Sequence, residues 1–268
     1  MSRSDLLGSA LRSLSRALSH ALVSEQIARQ PGLMQSLDPR VRVVGMLALV
    51  IAVALLHKIV VVLAVLAGAV VLAFTSAVPM RTLALRVWLV VLAFTGVIAL
   101  PALFLTPGEP LSVGSPITRA GFQAALMLIG RVEAAVTLTT VLVLTTPWTQ
   151  LLKALRSLGV PKEAVMMLAM AHRYIFLLAE TATQMFESRE SRRVGALRGP
   201  ERRQLVTRTA GVLMGKSIDL SHDVFLAMQS RGYRGEVHVL AEQRMRARDY
   251  VAVFALLGIA VLAIWVGR

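Results

Sequence analysis

The sequence predicts an all-α integral membrane protein with about five transmembrane helices and long cytoplasmic amphipathic helices between the fourth and fifth spans. Hydrophobic residues make up 56% of the 268 residues, which exceeds the roughly 45–50% found in soluble domains. Several apolar runs approach or exceed the ~20 residues that cross a bilayer. The net charge of +14 is concentrated between those runs. Together these observations indicate a bundle of membrane spans joined to a basic cytoplasmic segment.

Residues 1–36 are predicted to form an N-terminal amphipathic cytoplasmic segment. Leucines recur there at helical spacing, with Arg12 and Arg16 off that line. Such a helix could lie flat among lipid headgroups; a frayed cytoplasmic tail is the alternative. No compact apolar run precedes a small-residue cleavage site, so we expect no cleaved signal peptide. The leucines are Leu7, Leu11, Leu14, Leu18 and Leu22.

Residues 37–146 are predicted to hold transmembrane spans one to four, and residues 249–268 the last span. Asp38-Pro39 marks a helix start. Short polar or proline-containing breaks then separate the apolar runs, and residues 106–116 form a loop with three prolines and two glycines. The predicted spans are Val41–Leu56, Ile59–Val78, Leu83–Leu105, Ile117–Thr146 and Tyr250–Val266.

The distribution of basic residues predicts the orientation of the chain in a cell (inner) membrane. Residues 147–248 carry 17 Lys/Arg against 9 Asp/Glu, and residues 1–42 carry 6 against 3. The opposite side offers only Lys58, Arg119 and Arg268. Because Lys and Arg accumulate on cytoplasmic loops, we expect the N-terminus and residues 147–248 inside. The charge is then explained by anionic membrane lipid, and no nucleic-acid partner is expected.

Residues 147–248 are predicted to form a cytoplasmic domain of three amphipathic helices. A short helix follows Pro147 and is stopped by Gly159. The second runs from about Lys162 to Ser191 and the third from about Glu201 to Ser230, where the next glycine suits a helix C-cap.

The apolar half of the second cytoplasmic helix, Val165–Leu178, could also dip into the membrane. It contains His172 and Arg173, and charged residues inside a bilayer are costly. We therefore interpret it as a helix that packs beneath the bundle.

Few residues in the chain suggest a catalytic or ligand-binding site. Arg131 and Glu133 lie inside the fourth apolar run, where buried charges are usually functional. At a spacing of two they do not face each other on a helix, so each needs another partner or an aqueous cleft, unless both lie at the membrane interface. Gly211–Ser217 resembles a phosphate-binding loop but has three residues between its glycines instead of four.

Metal ligands also lack a recognisable pattern. Cysteine is absent and the five histidines are scattered, without the i,i+4 pair of a helical metal site. We expect no catalytic residue, no cofactor and no metal site.

Two cationic tripeptides close the two long cytoplasmic helices and are the candidate binding residues. An arginine at a helix C-terminus interacts favourably with the helix dipole and presents fixed donors to carboxylates and carbonyls. A solvated basic loop near anionic lipid is the alternative. The tripeptides are Ser191-Arg192-Arg193 and Ser230-Arg231-Gly232.

Over roughly residues 36–267 the sequence resembles the transmembrane T component of energy-coupling factor (ECF) transporters, most closely the CbiQ type of cobalt importers. That family has two Ala-Arg-Gly-like motifs at the ends of its coupling helices. Ser230-Arg231-Gly232 matches well, whereas the first tripeptide departs at Arg193, where the family prefers glycine. Further carriers of the resemblance are Leu37-Asp38-Pro39-Arg40, Thr145-Thr146-Pro147 with the helix Leu151–Leu158, His172-Arg173-Tyr174-Ile175-Phe176 with Glu180, and Leu226–Gly235.

The resemblance implies a non-catalytic coupling subunit. Two ATP-binding cassette ATPase subunits would lie below the membrane and receive Arg192 and Arg231 in their grooves. The coupling helices would carry ATP-driven motion to a separate substrate-binding membrane protein, the S component, which would be CbiM-like, with or without a small CbiN-like subunit.

The implied substrate is cobalt ion, although no ligand cluster selects it over nickel or a vitamin. Two other hypotheses are an integral-membrane enzyme that uses Arg131, Glu133 and His172, and a membrane scaffold with a basic lipid-binding domain.

Overall fold

The computed structural model describes residue 28 and residues 32–106, 118–192, 199–234 and 245–268. Every regular element within these residues is a helix, which confirms the predicted all-α class. The predicted N-terminal amphipathic helix and Arg193 lie outside the described residues.

Eight helices of ten or more residues make up the described part of the chain. A 3-10 turn, Met34–Ser36, precedes the first helix, and a short helix, Met80–Thr82, with a π-helical stretch, Leu83–Trp88, leads into the third. The helices are α1 (Pro39–Leu55), α2 (Ile59–Thr75), α3 (Leu89–Leu105), α4 (Arg119–Thr145), α5 (Trp148–Ser157), α6 (Lys162–Ser191), α7 (Gly199–Ser230) and α8 (Ala247–Gly267).

Four helical segments in this part of the chain are long and apolar enough to cross a membrane. Three of them belong to predicted spans, and α2 is apolar but shorter. The fourth is Lys162–Arg189 in α6, none of whose apolar stretch is buried. Its predicted position beneath the bundle remains a prediction. The segments are Leu83–Phe104, Arg119–Thr145, Lys162–Arg189 and Ala247–Gly267.

The second predicted span extends three residues past the observed end of α2, which is Thr75. The reason is local backbone geometry. The amide of Ser76 still donates to Leu72, but Ala77 adopts a left-handed φ of 53°, which a helix cannot continue. The chain therefore turns before Pro79.

The helices divide into two compact units, Ser24–Leu158 with Gln243–Arg268, and Gly159–Glu242. We call the first the bundle; it contains α1 to α5 and α8. We call the second the helix pair; it contains α6 and α7. The short amphipathic helix α5, which packs on α1, thus groups with the bundle.

The bundle is held together by close helix packing at small residues, as is common in membrane proteins. A Cβ atom added to Gly45 on α1 would overlap the side chain of Leu256 on α8. A Cβ atom at Gly130 on α4 would lie 3.2 Å from the Cγ1 atom of Val62 on α2. Large apolar side chains such as Trp265 instead lie exposed on the outside, which is the pattern of a lipid-facing surface.

The turn between α1 and α2, at His57-Lys58, bonds to the end of α8. The amide of His57 donates to the carbonyl of Gly267 at 2.8 Å, and Nζ of Lys58 donates to the carbonyl of Val266 at 2.8 Å. Leu56, just before this turn, is fully buried. These contacts fix one end of the bundle.

Candidate functional site

The turn that carries Arg231 is a complete Schellman motif at the end of α7. Gly232 has a φ of 82°, its amide donates to the carbonyl of Gln229 at 2.9 Å, and the amide of Tyr233 donates to the carbonyl of Met228 at 3.0 Å. This is the pair of bonds that defines the motif. The predicted C-cap at Gly232 is therefore confirmed, and the backbone at Arg231 has a single defined geometry.

Side-chain contacts anchor this turn to the start of α6. The hydroxyl of Tyr233 donates to the sulfur of Met166 at 3.3 Å. Both residues line a largely apolar groove of about 350 Å³ between α6 and α7, together with Tyr174, Phe225 and Met228. The residues on either side of Arg231 are thus packed, whereas Arg231 itself is exposed.

The two serines of the tripeptides bond within their own helices. The hydroxyl of Ser191 donates to the carbonyl of Glu187 at 2.7 Å, and that of Ser230 donates to the carbonyl of Ala227 at 3.0 Å. Both hydroxyl donors are therefore already used inside their own helices.

Arg192 and Arg231 both have guanidinium groups that can bond to another molecule. Both are exposed, and within the described residues neither guanidinium has a hydrogen-bond or ion-pair partner. Each can therefore donate several hydrogen bonds to carboxylates or carbonyls of another protein. Arg193, the last residue of the first tripeptide, lies outside the described residues.

The stretch that resembles a phosphate-binding loop has no loop geometry. Gly211–Ser217 lies in the middle of α7, a continuous helix from Gly199 to Ser230. Amides inside a helix bond to the preceding turn and cannot wrap a phosphate. The backbone of Gly211–Ser217 is therefore that of a helix interior and not that of a phosphate-binding loop.

The residues of the enzyme hypothesis have separate surroundings. Nη2 of Arg131 donates to the carbonyl of Leu56 at the end of α1. Glu133 is 7% exposed, and neither of its carboxylate oxygens has a hydrogen-bond partner among the described residues. His172 lies in the helix pair, where its ring makes an edge contact with Phe176 at 5.1 Å. As the spacing predicts, Arg131 and Glu133 do not pair, and no group of three potential metal ligands occurs in the described ranges.

Comparison with known proteins identifies the family. The family model described as CbiQ, cobalt transport protein, matches residues 32–240. The chain belongs to the CbiQ cobalt transport protein family. The matched range includes α1 to α7 and both tripeptides, so the resemblance predicted from the sequence is confirmed.

Three relatives illustrate the range of this family. The chain is 29% identical over 213 residues to cobalt transport protein CbiQ of Rhodobacter capsulatus, which covers 72% of this chain and 86% of the relative. It is 31% identical over 183 residues to energy-coupling factor transporter transmembrane protein EcfT of Leuconostoc gelidum, which covers 60% of this chain and 65% of the relative. It is 27% identical over 168 residues to nickel permease LarQ of Lactiplantibacillus plantarum, which covers 63% of this chain and 58% of the relative. The family and the long apolar helices make this chain a membrane protein of a transport family.

This CbiQ-family chain also contains a buried polar cluster that sequence reasoning missed. Asp38 was predicted only to mark a helix start, and the structure confirms that role, because Oδ1 of Asp38 accepts from the amide of Arg40 at 2.9 Å. Arg42 and Asp249, which are 3% and 5% exposed, lie beside it. The available signal was the presence of both charges at the margins of apolar runs, where buried charges usually have a partner or a function.

Proposed function

We propose that this chain is the transmembrane coupling subunit, the T component, of an ECF-type ABC importer. The observation that carries the proposal is the pair of exposed arginines, Arg192 and Arg231, which have no partner among the described residues and lie at the ends of two long amphipathic helices. Arg231 in particular is presented by a rigid helix end and not by a loose tail. Membership of the CbiQ family and similarity to a protein named EcfT support the same role.

Its cytoplasmic partners would be two ATP-binding cassette ATPase subunits. Each arginine would enter a groove of one ATPase subunit and bond to its carboxylates or carbonyls. Ser191 and Ser230 would end the helices, Gly232 would fix the second turn, and Arg193 would add positive charge beside Arg192. The described residues hold no phosphate-binding loop, so ATP hydrolysis would belong to the partners and this chain would be non-catalytic.

We further propose the membrane arrangement predicted from charge. The N-terminus and residues 147–248 would be cytoplasmic, and five spans would cross the cell (inner) membrane in contact with lipid. The regions would be an amphipathic segment at 1–36, four spans within 37–146, the coupling helices within 147–248 and a last span within 249–268. The charge asymmetry of the loops supports this orientation.

The proposed cargo is a transition-metal ion, with cobalt first because of the family description. Relatives named for cobalt and for nickel leave both ions open. The cargo would be bound by a separate S component, CbiM-like with or without a small CbiN-like subunit. Calorimetry of the purified chain with Co²⁺ should show no stoichiometric micromolar site; such a site, lost on mutating His57 or His172, would contradict this part of the proposal.

Reconstitution tests the function as a whole. The chain alone should hydrolyse no ATP, should co-purify with its ATPase subunits, and should support ATP-dependent metal uptake in proteoliposomes that also contain the S component. Turnover by the isolated chain would favour the membrane-enzyme hypothesis. Uptake that needs no ATPase, or failure to bind any ATPase, would instead favour a scaffold.

A further inference from the structure

We propose that Arg42 and Asp249 form a joint that holds both ends of the segment between α4 and α8 on the first turn of α1, and that this joint passes motion of the segment to α1. The joint itself depends only on the geometry of this chain. The transmission of motion through it rests on the proposed function. In this role Arg42 and Asp249 are positioning residues, because they act through the helices they hold.

Arg42 holds the end of α4, from which the chain continues into α5. Its Nη1 atom donates to the carbonyl of Thr145, the last residue of α4, at 2.7 Å. Its Nε and Nη2 atoms donate to the carbonyl of Leu37 at 3.0 and 2.6 Å, and Nη2 also donates to the carbonyl of Gln35 at 2.9 Å. One guanidinium thus ties the end of α4 to the turn that precedes α1.

Asp249 holds the point where the chain returns. Its Oδ1 atom accepts from the amide of Asp38, the N-cap of α1, at 2.9 Å. Its Oδ2 atom accepts from the amide of Arg246, the N-cap of α8, at 2.8 Å. The carboxylate therefore bridges the first turns of α1 and α8, and a negative charge at a helix N-terminus is favourable.

The end of α2 joins the same cluster through Gln35. Its Nε2 atom donates to the carbonyl of Ser76 at 2.9 Å, and the amide of Leu33 donates to the carbonyl of Thr75 at 3.3 Å. Four helix ends therefore converge at this place: the starts of α1 and α8 and the ends of α2 and α4.

The chemistry of the joint favours a rigid connection. Among the described residues, all of Arg42's hydrogen bonds go to main-chain carbonyls, so the guanidinium holds the backbone itself. A planar guanidinium can bond three carbonyls in fixed directions, whereas a lysine ammonium is a single point charge. Because the cluster is buried, its bonds do not compete with water. A displacement of the segment next to Thr145 or Arg246 would therefore move α1 instead of being lost in a flexible hinge.

Distance measurements in the full-length chain test the geometry without any partner. The chain lacks cysteine, so spin labels can be placed at Ser157→Cys on α5 and Arg248→Cys on α8, both exposed positions of the bundle. The distribution of distances between the two spin labels should be narrow in the parent and broader in Arg42→Gln and Asp249→Asn. The control is Arg40→Gln, because the Arg40 side chain makes no hydrogen bond within the described residues, and it should remain narrow.

The variant Arg42→Lys separates charge from geometry. If the guanidinium fork matters, this variant should broaden the distribution as Arg42→Gln does. A distribution as narrow as that of the parent would show that charge alone suffices and would overturn the role assigned to the fork. Should Arg42→Gln fail to insert, Asp249→Asn, which preserves volume, decides the geometry.

The same variants in the reconstituted complex test transmission. Arg42→Gln and Asp249→Asn should still co-purify with the ATPase subunits but lose most of the substrate moved per ATP hydrolysed, whereas Arg40→Gln keeps the parent ratio. If both variants move as much substrate per ATP hydrolysed as the parent, transmission through the joint is wrong. Loss of ATPase binding in either variant would also overturn it. If the parent complex shows no ATP-dependent transport, the proposed function is wrong. The spin-label distances in the chain alone would still test the geometry of the joint.

Discussion

Replacing Arg231 by alanine should weaken binding of an ATPase subunit while leaving the fold of the chain intact. The side chain is exposed and has no partner in the described part of the chain, so its loss should change the free energy of unfolding by less than about 0.5 kcal/mol. The Schellman motif is made of main-chain bonds of the neighbouring residues and survives the substitution. The folded chain therefore loses a docking group and little else.

The cost at the interface is expected to be much larger. Removing a charged group that is buried and hydrogen-bonded in a complex costs about 2–5 kcal/mol, partly because its partner is left unpaired. At about 1.4 kcal/mol per tenfold change in Kd, binding should weaken roughly thirty-fold or more. Arg192→Ala should act in the same direction, and more mildly, because Arg193 follows it and can supply a substitute positive charge.

The assay is titration of the purified chain with an ATPase subunit, together with thermal unfolding of each variant. Arg203→Ala is the matched control, because Arg203 is exposed in the first turn of α7, far along the helix from Arg231. It should bind with the parent Kd. If the double variant Arg192→Ala/Arg231→Ala assembles and transports like the parent, the assignment of these arginines is wrong.

Three further outcomes follow from the backbone geometry and the charge pattern. Gly232→Ala should lower the free energy of unfolding by about 1–2 kcal/mol, because the position needs a left-handed φ, and should also weaken ATPase binding. Gly159 has a φ of 95° and equally open surroundings. Gly159→Ala should therefore lose similar stability in a melting experiment without weakening ATPase binding. Ser112→Cys should react with a membrane-impermeant maleimide from outside the cell, and labelling only from the cytoplasm would invert the predicted topology. Gly45→Ala should destabilise the bundle by about 1–3 kcal/mol through overpacking against Leu256 on α8. Gly68→Ala should not, because a Cβ atom there meets nothing within 4 Å. Equal melting temperatures for the two variants would contradict this packing.

Local signals made most of the fold predictable from the sequence. The predicted bounds of α6, Lys162 to Ser191, are the observed ones, because Pro161 fixes the start and an apolar stripe runs from there towards a polar end. The Gly232 cap was predictable for the same reason, since glycine at that position meets a local requirement for positive φ. The family resemblance suggested the role proposed for the two arginines, which helix periodicity alone would not distinguish from a basic loop.

Contacts between distant residues were not predictable in this way. Asp38 and Asp249 are 211 positions apart, and nothing in either local sequence indicates that they meet. The partner of Arg131 is the main-chain carbonyl of Leu56, and a carbonyl has no signature in the sequence. The unpartnered carboxylate of Glu133 likewise became visible only once its surroundings were known.

The way in which Arg42 binds has a consequence for mutagenesis and for the divergence of relatives. Its acceptors are the carbonyls of Gln35, Leu37 and Thr145, and every amino acid supplies a carbonyl. Alanine scanning of those three positions would leave the contact in place and would report nothing about it. This contact therefore does not itself restrict the side chains at the acceptor positions, and only substitution of the donor at Arg42 would reveal that the contact exists.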